Sequence, residues 1–118
     1  MKQRTANKLL KIAKKENNLT FYQVAIGEID MLAFLDEYIK TNELGGLKVC
    51  GTTLAKVIKA NNTRKKTLQK WLDNETNEAF RKFHEKQIAI LDDYAEAQLI
   101  DIIENTDALK AQAKQDAE

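Results

Sequence analysis

The densest set of side chains able to do chemistry lies just past the middle of the chain, where Arg64, Lys65, Lys66, Gln69 and Lys70 fall close together. Guanidinium and ammonium groups neutralise phosphates, arginine and lysine match the acceptors on guanine, and a glutamine amide can pair with adenine. Lys48, Lys56 and Lys59 extend the set upstream, and residues 48–70 hold seven bases and no acid. The set points to a polyanion, with Arg64, Lys65, Lys66 and Gln69 as groove readers and the other bases as phosphate holders. A basic helix face that merely meets solvent is the plainer alternative.

Other candidates offer less. His84 is the only histidine, and nothing at suitable spacing supplies the partners that a general base or a metal site needs. Cys50 is the only cysteine, so it forms no internal disulfide and no zinc site, and it reads as a small buried hydrophobe. Asp92, Asp93 and Glu96 could hold a hard cation, but a solvated acidic face is the simpler reading. Gly45-Gly46-Leu47-Lys48 lacks the spacing and the hydroxyl residue of a phosphate loop. No catalytic residue, cofactor or metal is expected, and the chain is read as no enzyme.

The elements that must position these residues follow from composition and pattern. A chain of 118 residues is one ordinary domain; with no proline and four glycines it has little to break helices, so an all-α fold is expected. A short basic helix is predicted over residues 5–15, ended by Asn17-Asn18, and an amphipathic helix over about 28–40. Between them, Phe21 to Ile26 reads as a helix turn or a brief strand, the helix being preferred. Thr52 or Thr53 caps a third helix with Leu54, Val57 and Ile58 on its apolar face; Ala60-Asn61-Asn62 then breaks the chain, and Thr63 caps a fourth helix reaching about Leu72.

Two short helices joined by a tight turn, at about 52–72, match a helix-turn-helix, whose second helix enters the major groove. Trp71 shares a face with Leu68 and Leu72 and reads as a core anchor; Phe80 and Phe83 read as packing residues. Thr76 caps a long last helix over 77–105, and the alanine-rich, polar residues beyond it are expected to be only weakly helical or to fray. The resulting organisation is a helical DNA-binding domain at 1–75, a long oligomerisation helix at 76–105 and a polar tail at 106–118.

The formal net charge of +1 conceals a sorting into blocks. Residues 1–20 carry six bases against one acid and residues 48–70 seven against none, whereas residues 21–47 carry one against five and residues 71–118 five against twelve. One part of the surface can therefore attract a polyanion while another repels it. No stretch approaches the roughly 18 apolar residues of a membrane span, and the first twenty residues lack the apolar centre of a signal peptide. A cytosolic protein with no membrane contact is expected.

Leu54-Ala55-Lys56-Val57-Ile58, a short break, Thr67-Leu68-Gln69-Lys70-Trp71-Leu72, an acidic spacer, Phe80-Arg81, and then Tyr94-Ala95-Glu96-Ala97-Gln98 and Asp101-Ile102-Ile103-Glu104 follow one another in this order. That order resembles the small terminase subunit of tailed bacteriophages over roughly residues 50–107. The resemblance implies a non-enzymatic subunit in the host cytoplasm that binds duplex viral DNA through its helix-turn-helix. It also implies a homo-oligomeric ring built on the long helix, and presentation of the DNA to the large ATPase and nuclease subunit of the terminase. It places DNA contacts on Lys56, Lys59, Arg64, Lys65, Lys66, Gln69 and Lys70, and self-association on Phe83, Ile88, Leu91, Ala95, Leu99 and Ile102. Residues 1–45 carry no mark of that family; their basic helix is a further phosphate-binding arm or docks on a neighbour. The alternatives are a small dimeric helix-turn-helix regulator and a helical protein–protein adaptor whose basic block is incidental.

Overall fold

The computed structural model describes residues 1–117. The chain folds into helices α1 (Gln3–Glu16), α2 (Leu19–Ala25) and α3 (Met31–Thr41), a two-stranded hairpin of β1 (Lys48–Val49) and β2 (Thr52–Thr53), and helices α4 (Leu54–Asn74), α5 (Glu78–Glu104) and α6 (Thr106–Ala117). The all-α expectation holds apart from this small antiparallel pair, in which Lys48 lies opposite Thr53 and Val49 opposite Thr52. Cys50 and Gly51 make its turn, both with positive φ, the backbone that a two-residue hairpin loop requires. Cys50 is exposed there, so the buried-hydrophobe reading is corrected.

Local signals set most boundaries. Asn17 ends α1 in the left-handed conformation, and the Asn18 carboxamide accepts the Phe21 N–H to start α2, which resolves the ambiguous segment as helix. Gly27, at φ +87°, turns the chain out of α2, and α3 begins only after Asp30, whose carboxylate accepts the Ala33 N–H. Asn77 rather than Thr76 caps α5, accepting from Ala79 and Phe80.

The core gathers Leu9 and Ala13 of α1, Phe21 and Val24 of α2, and Leu35 and Ile39 of α3 around Leu54 and Ile58 of α4 and Leu99 and Ile102 of α5. Phe21, Phe34 and Tyr38 pack ring to ring at 5.6–6.0 Å between centroids. The long helix is thus no separate module, since its second half completes the core of the first three helices. Nor does the tail fray: Ala113 is buried, and Thr106 opens α6 by donating to the Ile102 carbonyl, which leaves Tyr38 to donate to Thr106 at 2.6 Å. Glu118 of the predicted tail lies outside the described residues. Among the described residues, no helix is long and apolar enough to cross a membrane.

Candidate nucleic-acid interface

The predicted break at residues 60–62 does not exist. α4 is one helix of 21 residues running straight through Ala60, Asn61 and Asn62. The physical reason is register. Leu54, Ile58, Asn61, Lys65, Leu68 and Leu72 recur at intervals of three and four and form one inward stripe, which a turn at 61 would misalign. Asparagine is a poor helix former by only a fraction of a kcal/mol, and neither glycine nor proline adds to that cost. The helix-turn-helix at 52–72 is therefore replaced by a helical hairpin of α4 and α5.

Continuity changes what the basic residues do. Lys56, Lys59, Thr63, Lys66 and Lys70 stand at i, i+3, i+7, i+10 and i+14, opposite the inward stripe, and all five are exposed. They make one ridge about 21 Å long at 1.5 Å per residue. Arg64 flanks it, and Lys56, Lys59 and Arg64 wall a shallow depression floored by Ala60, Thr63 and Thr67. None of these four lysines forms an ion pair among the described residues. The start of the helix is held firmly. The N–H groups of Leu54, Ala55 and Lys56 donate to the Leu47 carbonyl, the Gly45 carbonyl and the Thr53 hydroxyl, so three of its unpaired amides are satisfied.

Three predicted contacts leave the ridge. Lys65 lies on the inward stripe, half-buried, with its ammonium 2.8 Å from Asp92 Oδ1 in an approach too oblique for a hydrogen bond. Gln69 sits on the flank towards Asp30 and Leu32, and its amide donates to Asp73 Oδ1 at 2.8 Å. Lys48 stands in β1, where its backbone N–H donates to Asp116 Oδ2 at 2.8 Å. That bond is the main cause, with the Gln112 amide and the Lys48 charge behind it, that holds the Asp116 carboxyl below its ordinary value. With Gln69 turned aside, the ridge consists of four lysines and Thr63, so it keeps its phosphate-holding groups and loses the amide that pairs with adenine.

The acids of α5 are not a solvated face. Asp92 meets Lys65 of α4, Asp93 lies 3.1 Å from the Lys2 ammonium, and Glu96, only 4% exposed, accepts the Lys2 backbone N–H at 2.7 Å. They hold α4 and α1 against α5. The basic first helix docks within its own chain, and Arg4, Lys8, Lys11 and Lys15 form its outer stripe.

The predicted oligomerisation residues divide. Ala95, Leu99 and Ile102 are buried in the chain's own core, and Ile88 and Leu91 are half-buried against α4, so none of the first three is open to a partner. Phe83 is 58% exposed. The packing roles given to Trp71, Phe80 and Phe83 are corrected too, for Trp71 is 49% and Phe80 58% exposed. Leu68 and Leu72 take the inward positions, and one residue's rotation leaves the indole on the flank, 5.9 Å from the His84 ring. Sequence reading also missed Arg81, whose Nη1 donates to the Leu72 and Glu75 carbonyls at 2.9 Å and closes the end of α4 against α5. Its only sequence signal is an arginine one turn into a helix after a short acidic spacer. Comparison with family models, curated proteins and solved structures finds no match, so function rests on the chain's own residues.

Proposed function

We propose that the chain is a non-enzymatic DNA-holding subunit that lays the outer face of α4 along the phosphates of a duplex. The observation that supports this is the ridge of Lys56, Lys59, Lys66 and Lys70, with Arg64 beside it, on a helix whose other face is anchored. Neutralising phosphates releases condensed counterions, and five such contacts give a slope of log affinity on log salt of about −4.5. Adenine readout is expected to be weak because the ridge lacks a free amide reader.

The narrowest form of this reading is the small subunit of a viral packaging terminase, handing DNA to the large subunit. It draws support only from the order of segments in the resemblance, since the short break and the helix-turn-helix that went with it are replaced by one hairpin. The second reading, a dimeric DNA-binding regulator, is favoured by the single apolar stripe left uncovered on α5. Mass in solution separates a ring of many copies from a dimer.

Fluorescence anisotropy of a labelled duplex over a salt series tests the shared claim. The triple variant Lys59→Glu, Lys66→Glu, Lys70→Glu should reduce the slope by about 2.7 and leave the melting temperature unchanged, whereas Lys65→Gln should bind like the parent chain. No duplex affinity at low salt, or a triple variant that binds normally, would end the proposal.

A further inference from the structure

The outer face of α5 carries a second stripe that the fold leaves open. Phe80, Phe83, Ile90 and Tyr94 recur at intervals of three, seven and four, and are 53–58% exposed. The stripe has two shapes. From Phe80 to Ile90 the side chains stand out from a part of the hairpin in which no residue from 69 to 94 is buried. From Tyr94 onward the same face floors a mainly apolar groove of about 390 Å³, whose lining includes Val49, Tyr94, Ala97, Ile102 and Leu109, with Asp101 as its carboxylate. Charge divides in the same way, with exposed Lys82 and Lys86 beside the projecting half, and with Asp93, exposed though ion-paired with Lys2, and Asp101 at the groove.

We propose that this stripe pairs with the same stripe of a second copy, antiparallel, about a twofold axis near Ile90, so that Phe83 of each copy enters the other's groove beside Ala97. Knob and groove lie on one face of one helix, seven residues to either side of Ile90, so a single twofold rotation fills both grooves. The antiparallel sense sets Lys86 opposite Asp93 and brings Lys82 towards Asp101. A parallel pair would set each of these charges against its own kind, which costs association. Spacing close to a heptad seam suits a helix as the occupant. The α4 ridges, on the far side of α4 from α5, stay open in the pair. The inference rests on α5 alone, stands whether or not the ridge binds DNA, and accords with the dimeric reading rather than with the ring.

Sedimentation equilibrium of the full chain should give twice the chain mass of 13.5 kDa. Phe83→Asp should give a monomer with unchanged helical circular dichroism, because the ring is exposed within its own chain. Lys82→Glu with Lys86→Glu should weaken association roughly tenfold or more. In a Cys50→Ser background, a mixture of Phe83→Cys and Ala97→Cys chains should form an intermolecular disulfide that Phe83→Cys alone does not. A monomer at high concentration, an assembly indifferent to Phe83→Asp, or a Phe83→Cys chain that crosslinks to itself would each overturn the pairing. Duplex binding by the Phe83→Asp monomer reports on the α4 ridge separately.

Discussion

The α4–α5 hairpin has an inner half, packed on α1 to α3, and an outer half that meets only itself. Both halves are rich in large apolar side chains. In the inner half Leu54, Ile58, Leu99 and Ile102 are almost wholly buried; in the outer half Trp71, Phe80, Phe83 and Ile90 are about half exposed. Two helices in contact can each hide one stripe, and a broader apolar face needs a third element. α1 and α3 supply that element only to the inner half. Apolar content alone therefore says little about burial; the number of neighbouring elements decides it.

The two halves should respond differently to truncation, and this is the largest contrast to measure. Leu99→Ala should cost about 2–5 kcal/mol by thermal or denaturant unfolding, because the cavity opens inside a closed core. Trp71→Ala should cost less than about 1 kcal/mol, since the ring already faces water. Equal losses would place the indole in a core and abolish the distinction. A smaller effect tests what holds the outer half together. Arg81→Ala leaves the Glu75 carbonyl without its side-chain donor and the Leu72 carbonyl with only the Glu75 N–H, and should cost about 1–3 kcal/mol. Amide exchange should speed up over residues 70–90 while Leu9, Leu35 and Ile39 stay protected.

The smallest effect concerns α6. The Asp116 carboxyl is held below its ordinary value, chiefly by the Lys48 N–H. A carboxyl whose folded value is depressed stabilises the fold above the unfolded value of about 3.9, and that contribution is lost as pH falls through the folded value. Acidification below about pH 4 should therefore loosen α6 at β1, seen in the amide shift of Lys48. Asp116→Asn should abolish that dependence, and an unchanged titration in the variant would exclude the contact.

Legibility followed the range of the interactions. The terminator at Asn17-Asn18 and the cap at Thr53, one of two threonines that pattern offered, act within a few residues and stood where expected, whereas the caps expected at Thr63 and Thr76 did not. The break at residues 60–62 failed because a weak local preference of two asparagines was outweighed by an inward stripe shared with α3 and α5. The basic set was legible as a set, but its membership was not. Lys65 and Gln69 are the same residue types as those on the ridge, and only the direction each takes from a continuous α4 separates them.

Composition and short-range pattern by themselves determined that the chain is helical, that its charges are sorted into blocks, and that a run of bases without acids lies just past the middle. These are properties of neighbouring residues, and no fold can alter them. The tertiary structure alone decided that α4 is unbroken, that the α5 acids clamp α1 and α4, and which apolar face of α5 remains open. Each of these depends on which helices meet, and a helix exposes or hides a side chain according to a rotation of 100° per residue set by all its partners together.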